Sequence, residues 1–350
     1  MLLLYPSTTR KKRVCVHASD GYRQLVARRG GWRRLGTKRF RYVTASGEEV
    51  RDEEQLERIR ALAIPPAWRE VWISPNPRAR IQATGIDAAG RKQYRYHASF
   101  RAAQDRAKFE QLLDFSKALP DLRATTSRHL RNGTHERDWT CAMAIGLMNK
   151  AWFRVGSDRH TRRSRTYGVT TLTKRHASVE GDEVQFCFRA KNRRLVRRTV
   201  RNATLARGVA RLLDLPGGGR LFRYERDGEL VALTGPDLNE YLAENMGDGF
   251  TAKDFRTWGG TLLAATQLAR HGLAEDERAA KRTIAAVMRS VGEELGNTAA
   301  VARESYVSPA VIDAYLDGRT LDDYHRASRR PPRLSQDERA LVRLLRAAAR

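Results

Sequence analysis

The hydrophobic period of this chain changes near residue 100, and that change limits what it can fold into. Before it, short apolar or aromatic runs alternate with turn residues. They are Phe40-Arg41-Tyr42-Val43-Thr44, closed by Ser46 and Gly47; Val71-Trp72-Ile73; Ile81-Gln82-Ala83-Thr84; and Lys92-Gln93-Tyr94-Arg95-Tyr96 after a turn at 87–90. Such runs predict strands. One helix is expected among them, capped by Asp52 with Gln55 reaching back, and ending before Ile64-Pro65-Pro66. From about Ala102 the spacing becomes helical. Phe109, Leu112, Leu113 and Phe115 form a stripe, and a second helix over 139–155 carries Ala142, Ile145, Leu147, Met148 and Trp152. A β-type insert follows, with runs at 175–179, 184–189 and 195–200 and a tight turn at 190–192; after 217–219 the pattern is helical again to about Gly318.

The predicted fold class is therefore α+β, a small N-terminal β-rich domain and a larger, mostly helical domain with a short β-sheet insert. The expected boundaries are a basic N-terminal tail over 1–20, the β-rich domain over 21–101, the helical domain over 102–325 and a basic C-terminal tail over 326–350. Within that last tail, Ser335, Asp337 and Glu338 open an amphipathic segment carrying Leu341, Leu344 and Leu345.

Composition narrows the partners. The 350 residues carry a net charge of +26, with 66 basic and 40 acidic side chains. A folded protein this basic meets a polyanion, and charge spread along the whole chain points to nucleic acid. No apolar run approaches the length of a membrane span, and Met1-Leu2-Leu3-Leu4-Tyr5 is too short for a signal peptide. Cys15, Cys141 and Cys187 lie far apart, without pairing or metal spacing, which suits a reducing cytosol. Only 11 of the 66 basic residues are lysines, so a lysine in a special position carries more information than an arginine.

The residues able to carry chemistry cluster late in the chain. Thr298 is a plausible N-cap, and Ser308 followed by Pro309 starts a further helix that Gly318 ends. Tyr306 then sits in the joint between two helices, where a side chain can be presented to a ligand. Arg256 stands in the aromatic setting of Phe255 and Trp258, Arg154 ends an apolar helix, Lys191 occupies the hairpin turn, and Asn297 precedes Thr298. Breaking a DNA phosphodiester without a metal needs a nucleophile, cations around the pentavalent phosphate and an acid for the departing oxygen. Tyr306, Arg154 with Arg256, and Lys191 fit those needs, with Asn297 as a hydrogen-bond donor. Each has a blander reading: a core tyrosine, a buried arginine paired to Asp254, a general phosphate contact, a solvated turn lysine, and a helix C-cap after Gly296. In the run ending at His97, alternation puts Gln93, Arg95 and His97 on one face and Lys92, Tyr94 and Tyr96 on the other. That mixture suits contacts to bases and phosphates, or equally a sheet edge with solvated charges.

Arg154, Lys191, Arg256, Asn297 and Tyr306, in that order, resemble the type IB DNA topoisomerases, specifically the small poxvirus-like and bacterial kind. The resemblance covers roughly residues 30–320. Its most specific stretches are Ile64-Pro65-Pro66-Ala67-Trp68, Ile81-Gln82-Ala83-Thr84-Gly85, Gln93-Tyr94-Arg95-Tyr96-His97, Arg154-Val155-Gly156, residues 251–258 and residues 295–306. It implies a C-shaped clamp around duplex DNA, closed by the β-rich domain on one side and the helical catalytic domain on the other. It implies Tyr306 as the nucleophile of a 3′-phosphotyrosine, Arg154 and Arg256 as the phosphate-binding arginines, Lys191 as the general acid and Asn297 at the oxyanion. Gln93, Tyr94 and Tyr96 match the stretch that meets the DNA major groove. No metal, ATP or other cofactor is implied; the expected protein is a monomer acting on double-stranded DNA in a bacterial cytoplasm, at the nucleoid. Three departures stand out. Asn297 replaces a histidine common in the family, Ala190 replaces a glycine before the hairpin lysine, and residues 157–160 are unusually basic. A tyrosine recombinase is a rival reading, though Lys253 stands where recombinases usually have histidine and residues 64–97 have no counterpart there. A non-catalytic architectural DNA-binding protein is another, for which Tyr306 would be dispensable.

Overall fold

The computed structural model describes residues 30–37, 39–133, 136–327 and 333–349, leaving aside the side chains of 102–106, 108 and 132. The tail expected over 1–20 lies outside the described residues. Contacts divide the chain into two compact units, meeting between Lys108 and Phe109.

The first unit is built on one antiparallel sheet of five strands: β1 (Trp32–Leu35), β2 (Arg41–Val43), β3 (Arg69–Ile73), β4 (Ile81–Ile86) and β5 (Lys92–Tyr96), in the order β2-β1-β3-β4-β5. Helix α1 (Glu53–Ala61) contributes Ile59 to a core with Val71, Ile73 and Ala83. Asp52 caps α1 by accepting from the Gln55 amide at 3.1 Å. The Gln55 side chain does not reach back, contrary to expectation; its Oε1 accepts from Arg58 Nε at 3.0 Å. The charged guanidinium, already fixed on the Ser74 carbonyl and Gln82 Oε1 at 2.7 Å each, is a stronger donor than the N-cap amide. Strand β1 escaped the sequence reading because each of its faces pairs one apolar residue with one arginine, Trp32 with Arg34 and Leu35 with Arg33, which leaves no apolar alternation to read.

Two of the most specific stretches serve this scaffold. In Ile64-Pro65-Pro66-Ala67-Trp68 the prolines have no N–H, so the loop presents mainly acceptors. Arg34 supplies the donors, with hydrogen bonds to the carbonyls of Ile64, Pro65, Pro66 and Trp68 at 2.6–3.4 Å. Gln82 is 2% exposed and fully used. Its Nε2 donates towards the carbonyls of Asn76, Pro77 and Ala79, and its Oε1 accepts from Arg58. Gly85 is required by the Trp68 ring, since a Cβ there would lie 2.8 Å from Cε3.

The second unit is mostly helical. Helix α2 (Ala98–Asn132) runs through Pro120, and α3 (Arg137–Ala151) is buried along most of its length. Around α3 pack α5 (Ala203–Asp214), α6 (Gly235–Met246) and α7 (Ala252–His271). A three-stranded antiparallel sheet, β6 (Ala177–Glu180), β7 (Glu183–Arg189) and β8 (Leu195–Arg201), turns Val184, Phe186, Phe188 and Val200 into the core. Between β6 and α3 in the chain lies the short α4 (Asp158–Ser164). Helices α8 (Glu277–Glu294), α9 (Ala299–Ser305) and α10 (Pro309–Leu316) follow α7.

Two expectations are corrected here. The region after 217–219 is not helical at once, because β9 (Arg223–Arg226) and β10 (Glu229–Ala232) form a hairpin. Its turn residues Asp227 and Gly228 have φ 53° and 80°, the left-handed pair an Asp-Gly turn favours. Residues 333–349 are also no mere tail. Ser335 and Glu338 form a capping box for α11 (Gln336–Ala348), which buries Ala340, Leu341, Leu344 and Leu345. Glu338, 4% exposed, accepts from Arg123 at 2.7 and 2.9 Å and from Trp258 Nε1 at 3.2 Å. The amphipathic pattern wins over the basic composition because its apolar face has a core to enter.

Candidate active site

Four of the five residues singled out lie together, on the ends of α3, α7, α8 and α9. Trp152 closes α3 in the left-handed conformation, φ 51° and ψ 35°, which turns its carbonyl towards α7. That carbonyl accepts from Arg256 Nη1. Arg154 follows two residues on, its backbone fixed by Val169, whose amide donates to the Arg154 carbonyl at 2.7 Å. The Arg154 Nη2 donates to Asn297 Oδ1 at 2.7 Å and to the Gly296 carbonyl at 3.4 Å.

Arg256 is 4% exposed and sits in the second turn of α7. It is not paired with Asp254, whose carboxylate caps the helix by accepting from the Thr251 amide at 2.8 Å and hydroxyl at 3.0 Å. Instead Arg256 Nη2 donates to the Leu295 carbonyl at 2.6 Å, and its Cζ lies 5.0 Å from the centre of the Tyr306 ring. Its Nε is buried without an acceptor among the described residues.

The Thr298 hydroxyl starts α9 by accepting from the Val301 amide at 3.3 Å, and Tyr306 ends it as the C-cap, its amide donating to the Ala302 carbonyl. Ser308 occupies the N-cap position of α10 with Pro309 at its first turn, but its hydroxyl makes no capping bond. The Tyr306 carbonyl accepts from the Thr261 hydroxyl at 3.1 Å. One turn below Arg256, Gly260 lets α7 come against the same segment. A Cβ there would lie 2.9 Å from the Tyr306 carbonyl oxygen and 3.1 Å from its Cβ. One helix therefore positions both a guanidinium and the tyrosine it covers.

The electrostatics follow from burial without acids. Burial alone pushes the Tyr306 phenol up, but Arg256 beside it, then Arg154 and Lys253, outweigh that effect and leave it below its ordinary value of 10. Burial, with the Arg154 charge added, brings Arg256 down to about 10, and burial also lowers Arg154. Two cations held together by carbonyls rather than carboxylates form an anion site.

Asn297 serves both sides of this arrangement. Its Oδ1 faces the Arg154 guanidinium, which can only donate, so the amide orientation is fixed by chemistry. Its Nδ2 donates to the Leu295 carbonyl at 3.3 Å and retains a second hydrogen. Lys191 stands apart, exposed on the hairpin turn, with no bond to the other four among the described residues. Its turn is docked nearby, however. Arg194 Nη1 donates to the Asn297 carbonyl at 2.7 Å, and Arg198 Nη2 donates to the Glu294 carbonyl at 2.6 Å and pairs with its carboxylate. Neither arginine carried a sequence signal in so arginine-rich a chain. Ala190 is not the strained position a glycine would suit: its φ is −90°, and its methyl is buried. The left-handed residues of the turn are Asn192 and Arg193, φ 63° and 59°.

In the first unit, Gln93, Tyr94 and Tyr96 do not share a face. Gln93 Nε2 donates to Asp87 Oδ2 at 2.9 Å, and that carboxylate is held down at about 2 chiefly by its hydrogen bonds from Arg91. Tyr94 and Tyr96 stack across the other face with centroids 6.0 Å apart, and Tyr96 is 39% exposed. Tyr94 lines a recess of about 460 Å³ with Arg33, Trp72 and Lys92. Among the described residues no group of His, Cys, Asp or Glu is placed to hold a metal ion, and no helix is long and apolar enough to cross a membrane.

A half-buried tyrosine under two acid-free arginines, on a mostly helical unit with a small sheet, defines a class, and comparison with known families agrees. Residues 97–318 match the family model described as eukaryotic DNA topoisomerase I, catalytic core, and residues 39–87 match that of the bacterial DNA topoisomerase IB N-terminal domain. The chain belongs to the type IB DNA topoisomerases. Among individual proteins, it is 33% identical over 288 residues to the DNA topoisomerase 1B of Acanthamoeba polyphaga mimivirus, a match covering 80% of this chain and 85% of the viral protein.

Proposed function

We propose that this protein relaxes supercoiled double-stranded DNA by cutting one strand through Tyr306, letting the duplex rotate, and resealing it. The observation that carries this reading is the Arg256 guanidinium, buried without a carboxylate, 5.0 Å from the Tyr306 ring. The Tyr306 phenol gives its proton to water, which its lowered pKa favours, and the phenolate oxygen attacks the phosphorus, forming a 3′-phosphotyrosyl ester as the P–O bond to the 5′-oxygen breaks. Arg154 and Arg256 neutralise the non-bridging oxygens of the pentavalent phosphate, and the remaining Asn297 amide hydrogen donates to one of them. Lys191 delivers the proton to the departing oxygen, which requires its turn to move or the DNA to bring the oxygen to it. Resealing is the same path in reverse. The ester conserves the energy of the broken bond, so ATP is not needed, and arginines supply the charge that a metal would otherwise bring. Residues 21–101 and 102–325 are proposed as the two arms of a clamp on duplex DNA, working as a monomer in the cytoplasm.

The lowered phenol pKa favours this reading over a passive architectural role, which has no use for an ionisable tyrosine in a cationic pocket. The test is relaxation of supercoiled plasmid in excess EDTA without ATP, with wild type and Tyr306→Phe side by side. Wild type alone is expected to relax the plasmid. Equal activity in both would remove Tyr306 from the mechanism, and failure of both with DNA binding intact would favour the architectural or recombinase reading.

A further inference from the structure

Three arginines outside the four-residue cluster share an open recess of about 400 Å³: Arg165, Arg189 and Arg193. All three are exposed, and none makes an ion pair among the described residues. The backbone, rather than any counter-charge, brings them together. The Tyr167 amide donates to the Arg189 carbonyl at 2.8 Å, which fastens the segment after α4 to the end of β7. The Ala190 amide donates to the Arg194 carbonyl at 2.8 Å and closes the turn. Two of the three are held in the left-handed conformation, Arg165 at φ 50° and Arg193 at φ 59°. Like charges gathered at one recess repel one another, and an anion with several acceptor oxygens relieves that repulsion.

We infer that this recess is a second phosphodiester site, separate from the one Arg154 and Arg256 form, which takes a backbone phosphate of the bound DNA and thereby positions Lys191. The inference rests on the function proposed above. Lys191 lies between Arg189 and Arg193 in the chain, and the same turn is anchored to Asn297 through Arg194. A phosphate gripped on both sides of the lysine fixes the turn against the strand being cut. Without it, Lys191 has nothing among the described residues to hold it towards the cluster. In this scheme Arg165, Arg189 and Arg193 are positioning residues that act through Lys191.

The test uses full-length protein with Arg165→Gln, Arg189→Gln and Arg193→Gln, singly and combined, with circular dichroism to check the fold. The first readout is binding to linear duplex across salt concentrations, in a Tyr306→Phe background. Loss of one phosphate contact should lower the slope of log K against log salt by about 0.9. The second is single-turnover cleavage, expected to slow by about 10²-fold in the combined variant, as misplacement of a catalytic group does. A duplex with sulfur in place of the leaving 5′-oxygen, at a mapped cleavage position, needs no proton on departure. On it the combined variant should recover most of its rate, which a merely structural defect would not allow. An unchanged salt slope would overturn the site, and a defect that persists on the sulfur substrate would overturn its action through Lys191. If wild type formed no Tyr306 adduct, the enzymatic reading would fall while the salt slope still decided the recess.

Discussion

Arg256 sits where one side chain affects both charge and geometry. Arg256→Ala is expected to slow single-turnover cleavage by at least ~10²-fold, the scale for loss of one preorganised transition-state donor, with DNA binding little changed. A wild-type rate in a rapid-quench assay would refute its role. The pH profile gives a second check. Because the Tyr306 phenol is shifted below its ordinary value of 10, chiefly by Arg256 working against burial, the alkaline limb of cleavage should level off below that pH. Arg256→Gln removes the charge and should move the limb upward. At this scale the sequence was informative about which residues meet and poor about how. Tyr306, Arg154, Arg256 and Asn297 converge, yet nothing in the sequence could show that Asn297 Oδ1 is occupied by Arg154 or that Asp254 is taken up in capping. Both facts are fixed by approach across more than a hundred residues of chain, or by a cap competing for the carboxylate. Arg194 and Arg198 stayed hidden for a different reason: in so arginine-rich a chain, one more has no contrast.

The elements most legible in the sequence were those with a long, clean period. Helix α3 and strands β4, β5 and β7 lie where alternation or a helical stripe places them. The hairpin of β9 and β10 was lost because two four-residue strands leave little room for a period to show. Helix α11 was legible as an amphipathic segment but was grouped with the basic tail, because the sequence does not show the core that its apolar face enters. It joins α2 to α7, since Glu338 accepts from both Arg123 and Trp258, and Trp258 lies two residues from Arg256. Glu338→Ala leaves Arg123 without its carboxylate and should destabilise the fold by about 3 kcal/mol at neutral pH, measured by denaturant unfolding. Burial pushes the Glu338 carboxyl up, but hydrogen bonds and charge from Arg123 bring it below its usual 4.5. Its contribution is therefore present above about pH 4.5 and is lost as pH falls through the lower, folded-state value. The melting temperatures of wild type and Glu338→Gln should converge on acidification below that point; a gap that widened instead would contradict the sign.

For the whole molecule, a net charge of +26 makes ionic strength the main control on DNA affinity. If six to ten phosphates are contacted, binding to duplex DNA should weaken by about 10³–10⁵ between 50 and 200 mM salt. Multiple-turnover relaxation should first speed up over that range, as release becomes faster, and then decline. Filter binding and plasmid relaxation on one salt series would separate the two phases, and a flat binding curve would rule out phosphate-dominated attachment. The division into a β-rich and a helical part was readable because period two and period 3.6 are distinct signals. Which stretches frame the fold and which face solvent was not: the specific Ile64-to-Trp68 loop turns its carbonyls inward onto Arg34.

The place of Glu338 in the chain also bears on synthesis. Arg154, Lys191, Arg256, Asn297 and Tyr306 all leave the ribosome before it does. The brace on the helix that carries Arg256 therefore comes from a later part of the chain than any of these groups, and a chain interrupted just after Tyr306 holds all five without it. Translation thus supplies that brace only after the chain has been made well past Tyr306.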